Sequence, residues 1–280
     1  MEDLFLQIQK QKQLLTKLQA SLKRIAVPES DNGKRITVLK KELGGIEKYR
    51  PDLRLDTGMA QELALLLDRS REELKQKEEE QKTKFGLELE RLLQAHMFRL
   101  EGNYPKLRAA FYSFTVDIPA NKVTIFFGPD MEKLAMTKAI PEEVVATVVK
   151  NHEMITRRPL DEPVFLLTLR RAYQMYIAQS RNQKRMGDDA PLPEIHTLYA
   201  VLIQKDKFRK NPIKGNFSEY TRPMFSYDLS RLKTRKIDQA ELQLITATRA
   251  DTRSSLDFLW IPPADMSLSG ETLSRMKFVG

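Results

Sequence analysis

The chain is 280 residues long, 41% apolar and 30% charged, with no cysteine. That length allows one or two packed domains, and the absence of thiols excludes disulfides, thiolate metal sites and thiol nucleophiles. Forty-seven basic residues against 38 acidic ones leave a net charge of +9, which points to an anionic partner only if the surplus is clustered.

No run of 18 apolar residues occurs, and MEDLFLQIQKQKQ lacks the basic stretch, continuous apolar core and cleavage site of a secretory signal. The expectation is a cytoplasmic protein with no membrane partner. The expected fold class is α+β, mainly α with small β hairpins. It divides into a helical, coiled-coil arm over residues 1–101, a small α+β module over 102–160, a third domain over 161–263 and a C-terminal tail over 264–280.

From the start, Leu4, Ile8, Leu15, Leu18, Leu22 and Ile25 step by fours and threes, with Gln11 in the one gap. This is a heptad seam, predicted to join the arm to a partner protein or to a second copy. Pro28 and the Glu-Ser-Asp-Asn-Gly stretch end that helix. A short helix over Lys34 to Glu47 and a long one from Met59 to about Phe98 are predicted next. Between Asp68 and Lys84 the long helix holds only Leu74 as an apolar residue, which reads as a solvated stalk or a coiled coil with weak core positions.

After Gly102 the pattern changes period. Phe114, Val116 and Ile118, then Val123, Ile125 and Phe127, alternate with polar residues, predicting strands over Phe111–Ile118 and Lys122–Phe127. Pro141-Glu142-Glu143 opens a helix with Val145, Val148, Val149 and His152 on one face. Asp161-Glu162-Pro163 starts another, and Leu192-Pro193-Glu194 a third. Thr221 is expected to cap a helix from about Arg222 to Lys233, with Pro223 in its first turn and Phe225, Leu229 and Leu232 inward. Two last strands, Glu241–Thr248 and Ser255–Ile261, are expected to form a hairpin around Arg249 to Arg253, with Trp260 in its core and Pro262-Pro263 ending the sheet.

The charge is clustered. Lys205, Lys207, Arg209, Lys210, Lys214, Arg222, Arg231, Lys233, Arg235 and Lys236 face only three acidic residues between positions 205 and 236, a surplus of seven in about an eighth of the chain. A looser basic group comprises Arg157, Arg158, Arg170, Arg171, Arg181, Lys184 and Arg185.

Three helices, the last carrying the stretch YTRPMFSYDLSRLKTRK, followed by a two-stranded hairpin, resemble a winged helix-turn-helix domain over roughly Pro163 to Pro263. The linker from Gln204 to Glu219 is longer than the turn usual in that motif. The resemblance implies duplex DNA binding. Residue spacing sets Pro223, Tyr227, Ser230, Arg231 and Thr234 outward, where hydroxyls and an arginine suit phosphates and base edges, with Arg222 near the helix start. Arg249 and Arg253 would sit on the wing.

Chemistry that would make an enzyme is not indicated. His96, His152 and His196 stand apart, without HExxH or HxH spacing. No Walker loop and no GxSxG elbow occurs. Pro51-Asp52 with the distant Glu73-Leu74-Lys75 is a poor nuclease pattern because the latter sits in a charged helix, and Asp188-Asp189 reads as a capping pair. No catalytic residue, metal, cofactor or small-molecule substrate is expected. The expectation is a non-enzymatic DNA-binding accessory subunit that couples DNA to a partner protein or complex, such as an SMC-like or other ATPase, through its arm. The alternative is a structural scaffold whose winged-helix-like domain makes protein–protein contacts.

Overall fold

A computed structural model describes residues 1–180 and 184–280, so Arg181 of the looser basic group lies outside the described residues. The chain divides into two units, Met1–Glu88 and Leu89–Gly280. The boundary expected at 101/102 therefore falls earlier, inside the long helix.

In the first unit, α1 (Glu2–Ala26), α2 (Asn32–Tyr49) and the first part of α3 (Thr57–Gln94) bury a common apolar core. Pro28 stops α1, and the Asp31 side chain starts α2 by accepting from the Lys34 amide at 2.8 Å. Asp56 does the same for α3 at the Met59 amide. The core is Leu18, Ile25, Leu39, Leu43, Ile46, Leu63 and Leu67, with Leu22 packed at its edge.

This corrects the seam. Leu18, Leu22 and Ile25 are spent inside the unit and are not left for a partner, whereas Leu4 and Ile8 stand exposed. The buried stripe runs Leu14, Leu18, Ser21, Ile25 and skips Leu15, which is 43% exposed against 8% for Leu14. Gln11 explains the break in the pattern. Its amide clips the chain after α2, donating to the Asp52 carbonyl at 2.7 Å and accepting from the Arg54 amide at 3.0 Å.

The polar middle of α3 is not a bare stalk either. Arg35, only 8% exposed, holds the Glu73 carboxylate with two bonds of 2.6 and 2.7 Å. Its other nitrogen donates to the Ile25 and Val27 carbonyls at the end of α1, so one guanidinium joins all three helices. Lys40–Glu78 and Arg71–Glu47 extend the pairing of α2 with α3.

The second unit opens with an antiparallel meander, β1 (Leu100–Asn103), β2 (Lys106–Ala109), β3 (Tyr112–Asp117), β4 (Lys122–Phe127) and β5 (Glu132–Thr137), in that spatial order. β3 and β4 match the predicted pair, and Phe114, Val116, Val123, Ile125 and Phe127 point into the core. β1, β2 and β5 are too short or too polar to show a period of two. α4 (Pro141–Thr156) follows, burying Val144, Val145, Val148 and Ile155.

Then come α5 (Glu162–Gln179), capped by Asp161, β6 (Ala190–Pro191), α6 (Leu192–Leu202), the short α7 (Asp206–Lys210) and α8 (Arg222–Ser230). The chain closes with β7 (Lys236–Ile237), β8 (Ala240–Thr246), β9 (Leu259–Ile261) and β10 (Glu271–Val279). The strands pair in the order β6-β10-β8-β7, with β9 also on β10, all antiparallel.

Several expectations fail here. The residues read as a tail after 263 form β10, the strand on which the second sheet is built, and Pro262-Pro263 does not end that sheet. β8 pairs with β10 and not with the 255–261 segment, so Arg249 to Arg253 belong to a long connection and not to a tight hairpin tip. Thr221 precedes α8 but makes no side-chain cap, and α8 stops at Ser230, short of Lys233.

The 102–160 and 161–280 segments share one core, for which Trp260 is the wedge. It meets Phe127 edge-on at 5.1 Å, and its ring lies so close to Gly128 that a Cβ there would sit 2.7 Å from it. Gly128 also holds φ at +77°, so two independent constraints demand glycine at that turn.

The register of α1 yields a prediction. Leu14→Asp should destabilise the first unit by about 3 kcal/mol or more, because it exchanges a buried leucine for a desolvated carboxylate. Leu15→Asp should stay within about 0.5 kcal/mol. Urea unfolding followed by circular dichroism at 222 nm checks this, and equal losses would overturn the register.

Candidate nucleic-acid interface

The sequence pattern turns the outer face of α8 toward a duplex, but the structure places other elements there. Arg222 pairs with Glu132 of β5 at 2.9 Å and donates to the carbonyls of Ser255 and Phe258. Burial pushes the Glu132 carboxyl up, while Arg222 opposes the shift. Pro223 is buried. Tyr227 lies 6.2 Å from the Phe111 ring with the Arg231 guanidinium 4.8 Å over it, and Ser230 donates back to the Tyr227 carbonyl.

Asp228 is the centre of this arrangement. Its side chain is 5% exposed and ion-pairs with both Arg158 and Arg231. The Tyr220 hydroxyl donates to it at 2.8 Å, and Arg231 reaches on to the Arg158 carbonyl at 3.0 Å. Burial pushes the Tyr220 and Tyr199 hydroxyls up, and the Asp228 charge adds to that, so both stay protonated and Tyr220 is a fixed donor to Asp228. By sequence alone Arg158 and Arg231 count as surplus charge. Their partner is an aspartate, 70 positions from Arg158, and no local pattern signals the pairing.

Thus Arg222, Tyr227, Ser230 and Arg231 are engaged in holding α8 against the meander and against the chain that follows α4. The correction has a simple cause. A helix with Pro223, Met224, Phe225, Ser226, Asp228 and Leu229 all buried is covered on more than one side.

The exposed cations lie on both flanks of α8. Before it, the basic linker is an organised excursion pinned at its base by the buried Gln204. That amide donates to the Ala200 and Ser218 carbonyls and accepts from the Ser218 amide at 2.7 Å. Phe208 meets Phe217 edge-on at 5.3 Å, which closes the excursion on itself. Lys205, Lys207, Arg209, Lys210 and Lys214 are all exposed on it. Arg209 is held loosely, by Asp206 at 3.9 Å and the Leu202 carbonyl at 3.1 Å.

After α8, Lys233, Thr234, Arg235 and Lys236 are exposed on the approach to β7. The Lys233 backbone amide donates to Glu162, which fixes the path of the chain and leaves the ammonium in solvent. α8 itself is about 14 Å long, so the two basic segments leave from ends that far apart.

Arg249 and Arg253 are exposed on the connection between β8 and β9. Asp251 sets that turn by accepting from the Thr248 amide and hydroxyl at 2.8 and 2.7 Å, which holds its carboxyl down at about 2. Among the described residues, Lys205, Lys207, Lys210, Lys214, Lys233, Arg235, Lys236, Arg249 and Arg253 make no side-chain ion pair. The three histidines take separate places. His96 is exposed, His152 contacts Tyr112, and His196 is half-buried beside the Tyr220 carbonyl at 2.9 Å.

No family model, curated protein or solved structure matches this chain.

The division between packed and free cations is testable by stability alone. Asp228→Asn leaves two arginines without their counter-charge and should cost about 3–5 kcal/mol. Arg222→Ala strands Glu132 and should cost about 1–3 kcal/mol. Lys233→Ala or Arg235→Ala should stay within about 0.5 kcal/mol. The fluorescence of Trp260 during urea unfolding reads all four. Comparable losses across the set would show that the flanking cations are structural as well.

Proposed function

We propose that the protein is a non-enzymatic DNA-binding accessory subunit. It grips the phosphate backbone with the cations that flank α8 and does not read base edges with α8 itself. The observation that carries this reading is the set of nine exposed, unpaired cations in three segments, two of which adjoin α8 in the chain, in a unit where Arg158, Arg222 and Arg231 are paired. Charge displayed on fixed loops suits phosphate contacts, which position a protein on a duplex without specifying sequence.

The order α5-β6-α6-α8-β8-β10, with β6 and β8 on either side of β10, supports the likeness to a winged helix-turn-helix domain. On this reading the partner protein or second copy engages the first turns of α1. Leu4, Phe5, Leu6 and Ile8 are each about 60% exposed there.

The packed face of α8 favours a second reading, a scaffold subunit whose winged-helix-like domain contacts protein. Salt separates the two. Six neutralised phosphates predict a fall of about 10³-fold in duplex affinity between 50 and 200 mM salt. Changing Lys207, Lys210, Lys233 and Arg235 together to glutamate should flatten the slope of log affinity against log salt, by about one unit for each phosphate no longer neutralised. Fluorescence anisotropy with a labelled duplex measures both. A flat salt dependence in the wild type, or an unchanged slope in the variant, would favour the scaffold.

A further inference from the structure

The second unit has an open cleft of about 780 Å³ that lies outside the basic surface. One wall is the start of the meander and the other is the loop over residues 265–269. Three residues with left-handed backbones line it: Met97 at φ 65°, Ala110 at 49° and Met266 at 58°. Each belongs to a turn that shapes the wall: Met97 lies in the turn that ends α3, where the Phe98 amide donates to the Leu93 carbonyl at 3.0 Å, Ala110 lies in the β2–β3 turn, and the Met266 amide donates to the Pro263 carbonyl at 3.1 Å. Met97 is 94% exposed, so its side chain is free to meet a ligand.

Two arginines and two carboxylates, Glu101 and Asp265, line the cleft, so its formal charge is balanced but its donors are in excess. The side chains of Arg99 and Arg108 are 87% and 54% exposed and share a single carboxylate, Glu101, at 3.8 and 3.3 Å. Ten guanidinium N–H donors over the two Glu101 oxygens leave most of the donors uncommitted. The other acid of the cleft, Asp265, is engaged with its own loop, accepting from the Ser267 amide at 3.0 Å, which holds its carboxyl down.

At the inner wall, His152 is fixed edge-on to Phe98 at 5.0 Å and against Phe111 at 5.7 Å. Its Nδ1 faces the Tyr112 hydroxyl at 3.2 Å, leaving Nε2 without a partner among the described residues. Burial lowers its pKa, so the ring is neutral at pH 7. Phe98, Met97 and Met266 supply apolar surface beside these polar groups.

We propose that this cleft binds a small organic anion with an aromatic body, a phosphate ester or a carboxylate. Arg99 and Arg108 take the anionic group, the methionines and Phe98 take the ring, and His152 Nε2 makes one directed hydrogen bond. The volume suits a ligand of that size, and guanidinium pairs match both oxyanions bidentately. This inference does not depend on the DNA reading, because none of the flanking cations belongs to the cleft.

Titration calorimetry of the full chain at 150 mM salt with four probes tests it: phenyl phosphate, benzoate, inorganic phosphate and benzyl alcohol. Phenyl phosphate or benzoate should saturate one site at least tenfold more tightly than either inorganic phosphate or benzyl alcohol, and the tighter of the two names the anion. Arg99→Ala with Arg108→Ala should weaken that binding tenfold or more at an unchanged melting temperature. Lys207→Glu with Lys210→Glu should leave it unchanged. The proposal fails if neither aromatic anion saturates, if inorganic phosphate or benzyl alcohol binds as tightly, or if the arginine variant retains full affinity. It also fails if the lysine variant loses the binding, since the anion would then sit on the basic linker.

Discussion

The buried carboxylate of Asp228 governs how the second unit can work. A charge that is 5% exposed persists in a protein interior only when it is surrounded by donors, and here two guanidiniums and a tyrosine hydroxyl meet that demand. Arg158 comes from the chain after α4, Tyr220 from the end of the basic linker, and Arg231 from just beyond α8. Satisfying one carboxylate therefore draws separate parts of the chain onto α8. Arg222 at the other end of the helix does the same with Glu132 and the 255–258 segment. With both ends tied, α8 is a packing element.

That constraint sorts the basic residues into two populations. Arg158, Arg222 and Arg231 are paired within the fold, and their charge is largely cancelled. The lysines of the Lys205–Lys214 segment and the cations of Lys233–Lys236 have no such partners and stand in solvent. Strong pairing within the core and a free surplus on the loops come from the same segment of sequence. A surface of this kind attracts a polyanion through the number and spacing of its charges, with little ability to discriminate among bases.

Much of the helical architecture was legible because it is carried by local signals. Asp31 and Asp161 cap helices, Pro141 and Pro163 open them, and Phe114 through Phe127 alternate cleanly across a turn. What could not be read depends on distant partners. Leu14 and Leu15 are both leucines, and only contact with α2 and α3 decides which one is buried. β10 alternates apolar and polar residues weakly, and its role emerges only when β6, β8 and β9 pair with it. The candidate interface was half legible. Counting charges located the basic segment, but Arg222 and Arg231 could be removed from the free surface only by finding Glu132 and Asp228 in space. The cleft at Arg99 and Arg108 had no sequence signature, because its residues come from separate stretches with no shared spacing.

The most direct test of the proposed DNA contact is amide NMR, or hydrogen exchange, of the full chain during titration with a short duplex. The predicted result is perturbation confined to residues 205–216, 233–236 and 249–253, with the amides of Arg222–Ser230 unchanged. Perturbation centred on Arg222–Ser230 would mean that α8 opens to enter a groove, and would contradict the assignment of α8 to packing. Absence of perturbation at all three basic segments would contradict the assignment of DNA contact to its flanks.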